Sequence, residues 1–317
     1  MPSATKPRLV GLLFGACLAG TLCHAQDLAP RAYLITPVHA NAVTLTFSFY
    51  TGSILFNSVI PVTDATGNPK IQILSVYHSL NFFGRLANIT AFLPYGFAHF
   101  QGNVTGTGKH GQIYRSGLLD AVFRFSVNLK GGPAMSPEEF RSWRQKTVLG
   151  TSLTVVAPTG QYDPTGLINH GNNRWAFKSE LGFSQRRGHW VLDAYGGVWF
   201  FTTNPEFFSH NAFAPGTNTQ TESPVGSFEG HFSYDFKPRL WVSLDANFWF
   251  GGRTSLNGAP NPSTVQKNSR VGATGSIPLT THQSIKLSYS NGAYIRYGGN
   301  YQSVSVGWQY SWVGRPN

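Results

Sequence analysis

The sequence is short of cysteine, of charged residues and of long apolar runs. Its two cysteines, Cys17 and Cys23, both lie in the N-terminal stretch MPSATKPRLVGLLFGACLAGTLCHA, so residues 26–317 have none. That absence excludes a disulfide scaffold and thiolate chemistry from the rest of the chain. Charged residues are 12% of the total, about half the share of a soluble globular domain. After residue 25 no run of about 18 apolar residues occurs, so no transmembrane helix is expected.

The N-terminal stretch has the features of a secretory signal peptide. Lys6 and Arg8 precede an apolar segment, and small residues lead up to Ala25. The apolar segment is too short for a good membrane anchor and is typical of an export signal. We therefore expect residues 1–25 to be a signal peptide, 26–40 a periplasmic N-terminal segment and 41–317 a transmembrane β-barrel.

The formal net charge is +11, but the basic residues are scattered and form no run longer than Arg186–Arg187. A nucleic-acid groove needs a dense basic stripe, so no nucleic-acid partner is expected. Scattered basic residues suit an anionic membrane surface such as lipopolysaccharide phosphates. The sequence thus favours outer-membrane lipids and lipopolysaccharide as partners.

Apolar and polar residues alternate along most of the chain. In RLWVSLDANFWF, residues 239–250, Leu244 and Phe248 share one register, and Asp245 and Asn247 share the other. A period of two predicts a strand. About twelve such stretches occur: 41–50, 70–80, 86–96, 118–130, 147–157, 175–187, 189–201, 225–237, 239–250, 268–279, 283–296 and 301–312. Most reach the roughly 9–11 residues that a membrane strand needs, whereas soluble strands average about 5–6.

The connections alternate in length, as they do in outer-membrane barrels. Long connections rich in Gly, Pro, Asn and Thr are expected on the extracellular side at 51–69, 97–117, 158–174, 202–224 and 251–267, with a short one at 297–300. Short turns are expected on the periplasmic side at 81–85, 188, 238 and 280–282. The exception is 131–146, where SPEE predicts a short helix. The fold class is therefore an all-β, antiparallel outer-membrane barrel of about twelve strands, with both termini in the periplasm.

Aromatic residues cluster near the predicted strand ends, as in the girdles that mark membrane–water boundaries. This set is Tyr50, Trp175, Trp190, Trp199, Phe200, Phe201, Trp249, Phe250, Trp308, Tyr310 and Trp312. In such a barrel the apolar register of each strand faces lipid and the polar register faces the lumen.

Several motifs that suggest chemistry fail on their context. GTGKHG, residues 106–111, matches a dinucleotide fingerprint, but a strand follows it where a helix is required. His78 and Ser79 are neighbours on a strand and so point to opposite faces, which prevents a nucleophile–base pair. The ten histidines lack metal-ligand spacing. We expect no catalytic site, no metal and no cofactor.

Charged residues in the polar registers are the candidate lumen-lining set, because charge on the lipid face is costly. They are Asp120, Arg124, Lys178, Glu180, Arg186, Asp193, Glu229, His231, Asp235, Asp245, Arg270 and Lys286. Such residues either cross-link the wall as ion pairs or line a path for small solutes. Four basic residues near loop ends are candidates to face lipopolysaccharide: Arg115, Arg174, Arg253 and Lys267.

The stretch VLGTSLTVVAPTGQYDPTGLINHGNNRWAFKSELGFS, residues 148–184, resembles an outer-membrane transporter family named for the meta pathway of phenol degradation. LDAYGGVWFFTTN, LWVSLDANFWFGGRTSLNG, NSRVGATGSIPL and GWQYSW are similar to its later segments in the same order. The resemblance implies a barrel that passes aromatic or other hydrophobic catabolic substrates, and it carries no catalytic residues over to this chain. VGRPN follows Trp312, so we expect the aromatic signal for the barrel assembly machinery to be Trp312, displaced by this short tail. The alternatives are an outer-membrane lipid hydrolase and a closed structural barrel.

Overall fold

The computed structural model of the chain describes residues 28–55, 62–104, 109–166, 168–211 and 214–314, and the predicted signal peptide lies outside these ranges. Seventeen strands occur in the described residues: β1 (Ala40–Leu55), β2 (Val62–Gly67), β3 (Lys70–Phe82), β4 (Arg85–Val104), β5 (Lys109–Leu118), β6 (Ala121–Lys130), β7 (Thr147–Ala157), β8 (Ala176–Arg187), β9 (Trp190–Phe201), β10 (Gln220–Glu222), β11 (Val225–Lys237), β12 (Leu240–Gly251), β13 (Thr254–Leu256), β14 (Ala259–Asn261), β15 (Gln266–Pro278), β16 (Gln283–Tyr294) and β17 (Gly298–Val313). Helix α1 spans Pro137–Ser142, and a short 3₁₀ turn spans Pro262–Thr264. No helix in the described ranges has the length and apolarity to cross a membrane.

Twelve of these strands form a closed antiparallel barrel. Its order is β1, β3, β4, β6, β7, β8, β9, β11, β12, β15, β16 and β17. β17 pairs back to β1 in a continuous register that runs from Ala40 opposite Val313 to Leu55 opposite Gly298. Closure leaves neither the first nor the last strand with an unpaired edge. The predicted barrel of about twelve antiparallel strands is confirmed.

The connections follow the predicted alternation of long and short. Tight turns join β3 to β4, β8 to β9, β11 to β12 and β15 to β16, and we call that rim the short-turn end. At the opposite rim, the long-loop end, the connections contain further pairing: β2 and β5 extend hairpins from β1 and β4, and β10, β13 and β14 form a separate three-stranded sheet. The stretch 97–117 was predicted to be a loop but is largely strand, because β4 and β5 continue to pair beyond the barrel wall.

The helix predicted at residues 131–146 forms as α1. Ser136 Oγ accepts a hydrogen bond from the Glu139 amide at 3.3 Å, and Glu139 Oε2 accepts one from the Ser136 amide at 2.7 Å. These hydrogen bonds hold the pKa of Glu139 below its usual value. The reciprocal cap satisfies amides that a helix start leaves without partners.

The two registers of each barrel strand differ sharply in exposure. On β12, Leu244 is 68% exposed, whereas Asp245 is 4% exposed. The apolar register thus lies on the outer face, where it suits hydrocarbon, and the polar register lies inside.

The aromatic prediction needs one correction. Trp175, Trp190, Phe200, Phe250, Trp308, Tyr310 and Trp312 are exposed on the outer face, as girdle residues should be. Trp199 and Trp249, however, are buried inside against Val225, and Tyr50 and Phe201 also lie in the inner registers. The reason is parity: Trp249 is an even number of residues from Asp245 and therefore shares its face.

Candidate functional site

A segment that precedes the first strand lies inside the barrel. Residues 28–39, which we call the strap, are the described part of the stretch that was expected to be a periplasmic extension. Tyr33 and Ile35 are each only 2% exposed. The strap occupies the interior nearer the short-turn end, so it narrows the lumen there.

Tyr33 fixes the centre of the strap. Its Oη donates to Glu180 Oε1 at 3.0 Å and lies 3.2 Å from Ser152 Oγ. Its ring rests on Gly150 and Gly182, where an added Cβ would approach ring atoms to 2.3 Å and 2.0 Å. Only glycine leaves room for the ring at these two wall positions.

The rest of the strap reaches other parts of the wall. Arg31 pairs with Asp235 at 2.7 Å and stacks over Trp241 at 4.3 Å. On the other side, Thr36 Oγ1 lies 3.0 Å from the Tyr77 hydroxyl. The strap therefore spans the interior from β3 to β12.

A continuous set of buried ionic contacts runs along β6, β8, β11 and β12. We call it the charged wall, and it consists of Arg124, Lys178, Glu180, Glu229, His231 and Asp245. Glu180 contacts Lys178 Nζ at 2.5 Å and Arg124 Nη2 at 3.5 Å. Lys178 also contacts Glu229 at 3.2 Å, and His231 Nδ1 lies 2.9 Å from Asp245 Oδ1. Buried charges of this kind are tolerated because each has an opposite partner.

The other lumen-lining candidates have different surroundings. Asp193 is 1% exposed. Asp235, which pairs with Arg31, also forms an ion pair with Arg186, whose Nη1 lies 2.6 Å from Asp235 Oδ2. Arg270 donates to Ser290 Oγ at 3.0 Å and to the Tyr301 carbonyl at 2.9 Å. Lys286 lies in the inner register of β16 and is exposed.

Small hydroxyl residues line the opposite side of the interior. We call this surface, on β1, β3, β16 and β17, the hydroxyl wall, and it consists of Thr44, Thr46, Ser48, Ser75, Ser288, Ser290, Ser303 and Ser305. Ser305 Oγ donates to Ser48 Oγ at 2.8 Å, and Ser290 and Ser303 are 2.7 Å apart. Most of these side chains are half-buried. These side chains are shorter than those of the charged wall.

At the long-loop end, the loop between β7 and β8 folds inward. The predicted lumen residue Asp120 holds it: its carboxylate accepts hydrogen bonds of 2.9 Å from the amides of Gly160 and Asn172 and one of 2.8 Å from Asn172 Nδ2. Burial raises the pKa of Asp120, and these hydrogen bonds oppose that effect. The anchored loop carries Ile168 into a buried cluster with Phe100.

Beside this loop is an apolar crevice. Its empty volume of about 330 Å³ includes open solvent, so the space that the protein encloses is much smaller. Its lining residues come from β3, β4 and the loop: Pro69, Ile71, Gly96, Phe97, Ala98, Phe100, Leu119, Ile168, Asn169 and His170.

Two of the four candidates for lipopolysaccharide contact are corrected. Arg174 is 8% exposed and forms a buried ion pair with Glu222. Arg115 is half-buried and donates to the Ile168 carbonyl at 3.3 Å. The side chains of both residues therefore form contacts within the protein. Arg253 and Lys267, by contrast, are exposed.

His78 and Ser79 do not form a nucleophile–base pair. His78 is exposed and its Nδ1 lies 2.8 Å from Asn41, whereas Ser79 is buried and bonds the strap backbone at Pro37. His231 has carboxylates at both ring nitrogens, with Glu229 3.6 Å from Nε2. Among the described residues no group of three or more His, Cys, Asp or Glu side chains is placed to hold a metal ion.

The strap and the hydroxyl wall were not predicted from the sequence. The strap, LAPRAYLITPVH, has no period of two or 3.6 that would place it against a wall. The available signal was indirect, in that Gly150 and Gly182 interrupt polar registers of otherwise regular strands. An isolated glycine in a strand often marks the close approach of another group.

Comparisons with known proteins agree with this architecture. The sequence family described as "Putative MetA-pathway of phenol degradation" matches residues 76–293, more than half of the chain. No curated protein matches. The solved structure of the COG4313 outer membrane channel from Pseudomonas putida F1 is similar with a TM-score of 0.72 at 15% identity, covering 90% of this chain and 100% of that one. The transport unit of the autotransporter AIDA-I from Escherichia coli gives 0.52 at 12% identity, covering 93% and 95%. Identities this low show the fold alone.

Proposed function

The chain belongs to the family described as "Putative MetA-pathway of phenol degradation", and we propose that it is an outer-membrane channel for small solutes, aromatic compounds among them. We propose no enzymatic activity for this chain. Solutes would cross by diffusion, without a cofactor or an energy source.

The hydroxyl wall is the observation that carries this proposal. Barrels of about eight strands are filled by their own side chains, whereas barrels of about 16–18 strands enclose an aqueous channel. A barrel of twelve strands lies between these limits, so the size of its inner side chains decides whether a path exists. Thr44, Thr46 and Ser305 are short and half-buried, which favours a narrow path beside them.

Two further features suit a small aromatic solute. The apolar crevice offers Ile71 and Phe100 near the long-loop end of that path. Lys286 adds a positive charge within the inner register of β16, which favours anionic solutes over cationic ones. Passage of small aromatic acids and phenols ahead of sugars is therefore the expected selectivity.

Replacing Thr46 by Trp is expected to reduce the uptake of every solute strongly, because the indole would fill the space beside the hydroxyl wall. The matched control is Phe47→Trp, since Phe47 is the next residue on the same strand and points outward, 38% exposed. Proteoliposomes that contain each refolded variant would be compared for influx of benzoate, phenol and a sugar of similar size.

Uptake that is fast for aromatics, slow for sugars and lost only in Thr46→Trp would support the channel. Equal uptake by both variants would exclude a path along the hydroxyl wall. If folded, inserted wild-type protein admitted no solute, the channel proposal would be abandoned in favour of a closed structural barrel.

Arg253 and Lys267, exposed near the long-loop end, would contact the phosphates of lipopolysaccharide. Their replacement by Gln should lower the thermal stability of the barrel in lipopolysaccharide but not in neutral lipid, because only the former carries a dense negative charge. An equal effect in both lipids, or none in either, would remove these residues from the proposal.

A further inference from the structure

The outer face of the barrel has a row of basic side chains at the short-turn end. We call it the basic arc, and it consists of Arg85 on β4, Lys130 on β6, Arg187 on β8 and Lys237 on β11. All four are exposed, and no ion pair between described residues includes any of them. The strands β4, β6, β7, β8, β9 and β11 are consecutive in the wall, so the arc covers one half of the barrel.

Two of these residues face outward because of an irregularity in strand pairing. The register of β6 with β7 shifts after Asn128, so that Lys130 lies opposite Leu149, which is 39% exposed on the outer face. The register of β11 with β12 shifts in the same way near its end, so that Lys237 lies opposite Leu240 in the outer register. In a regular strand each lysine would share the inner face of the residue two positions earlier. A bulge thus turns both lysines from the lumen to the outside.

The neighbours of the basic arc are apolar. Arg187 lies opposite Trp190, an exposed girdle residue whose ring stacks on Phe232 at 4.6 Å between centroids. Arg85 lies opposite Phe82, which is 40% exposed. Girdle aromatics mark the boundary between hydrocarbon and headgroups. A basic side chain at that depth keeps its stem in the apolar layer and its charge among the headgroups, so the arc lies at the level of lipid phosphates.

The other half of the wall differs at the same level. Among the described residues, β12, β15, β16, β17, β1 and β3 have no lysine or arginine on their outer faces at this end. Aromatic side chains such as Trp312 lie there instead. Arg239, in the turn before β12, donates to the carbonyls of Thr280 and Thr281 and is thereby directed to the neighbouring turn. The basic charge is confined to one side of the barrel, which a general attraction to the membrane does not require.

We propose that the basic arc is a binding surface for anionic phospholipids, with lipid phosphates at its basic groups and acyl chains against neighbours such as Leu149 and Trp190. A phospholipid fits because it joins a phosphate to hydrocarbon, and the arc places each cation beside an apolar side chain. With the short turns in the periplasm, these lipids belong to the inner leaflet of the outer membrane. The inference is independent of solute passage, because the arc lies outside the lumen.

The test is electron paramagnetic resonance of spin-labelled phosphatidylglycerol and spin-labelled phosphatidylcholine in phosphatidylcholine vesicles that contain the full mature chain. The spectra separate lipid held at the protein from bulk lipid and so give the relative association of the two probes. The wild type should associate with phosphatidylglycerol about threefold more strongly, because a basic residue near a membrane surface attracts an anionic lipid about fivefold and such residues cover only part of the wall.

Replacement of all four arc residues by Gln should lower this ratio below about twofold. Lys70 and Lys267, exposed at the long-loop end, would account for the remainder. Two double variants, Arg85→Gln with Lys130→Gln and Arg187→Gln with Lys237→Gln, should each give an intermediate ratio and replace the fourfold variant if it does not insert. High salt should reduce the wild-type ratio, because the attraction is screened.

The matched control removes four exposed arginines outside the barrel strands and should keep the wild-type ratio: Arg141→Gln, Arg144→Gln, Arg253→Gln and Arg296→Gln. Heat-dependent gel mobility would verify that each variant is folded. The proposal is overturned if the fourfold arc variant keeps the ratio, or if the control lowers it as much, because net charge alone would then explain the preference. Equal association of both probes with folded wild type would also overturn it and would point to an acidic protein as the partner of the arc.

Discussion

Deletion of residues 28–36 is expected to raise the ion conductance of the barrel several-fold. The deletion removes from the lumen the aromatic ring of Tyr33, which contacts Glu180 on β8, and the guanidinium of Arg31, which contacts Asp235 on β11. Planar-bilayer recordings of single channels would measure the change.

Tyr33→Ala should give an intermediate conductance, because the strap loses its central anchor but keeps the Arg31–Asp235 ion pair. Tyr114→Ala is the control, since Tyr114 is 69% exposed outside the lumen. If the deletion and the wild type conducted equally, the strap would not limit flow, and the constriction would have to lie at the inward loop between β7 and β8.

Replacement of Glu180 by Gln is expected to destabilise the folded barrel by about 3–5 kcal/mol, the usual cost of removing one member of a buried ion pair. Glu180 is 7% exposed and contacts two cations, Lys178 and Arg124, as well as the Tyr33 hydroxyl. Without its carboxylate, both cations stay buried with less compensation. The free energy of unfolding in urea, measured in lipid vesicles, reports the loss.

A double variant tests whether the loss of stability in Glu180→Gln has an ionic cause. Arg124→Met added to Glu180→Gln should recover part of the stability, because Glu180 is the carboxylate that pairs with Arg124, whereas Lys178 keeps Glu229. Glu138→Gln, on the exposed face of α1, should change the free energy of unfolding by less than about 0.5 kcal/mol. A loss below about 1 kcal/mol for Glu180→Gln would mean that water compensates the charged wall.

The strands were predictable because their pattern has a single strong cause. Each barrel strand contacts hydrocarbon on one face, so a period of two persists over its whole length. The bounds predicted for β7 and β11, 147–157 and 225–237, coincide with those of the structure. The bounds of β4 did not, because its outer half pairs with β5 and no longer follows the membrane pattern.

The interior was only partly predictable. Parity alone placed Lys178, Glu229 and Asp245 on the inner face, where they are buried. Their partners depend on which strands become neighbours, and sequence spacing does not carry that information. Arg174 illustrates the limit: its position at a loop end suggested exposure, but the loop turns inward and pairs it with Glu222.

The strap also imposes an order on assembly. It precedes β1 in the chain, yet its contacts reach Tyr77 on β3, Glu180 on β8 and Asp235 on β11. Contacts between such distant parts of a chain form late, since the loops between them must close first. The binding surface for the strap exists only once these strands stand side by side in the wall. The strap can therefore reach its final contacts only after β3, β8 and β11 have taken their places in the wall.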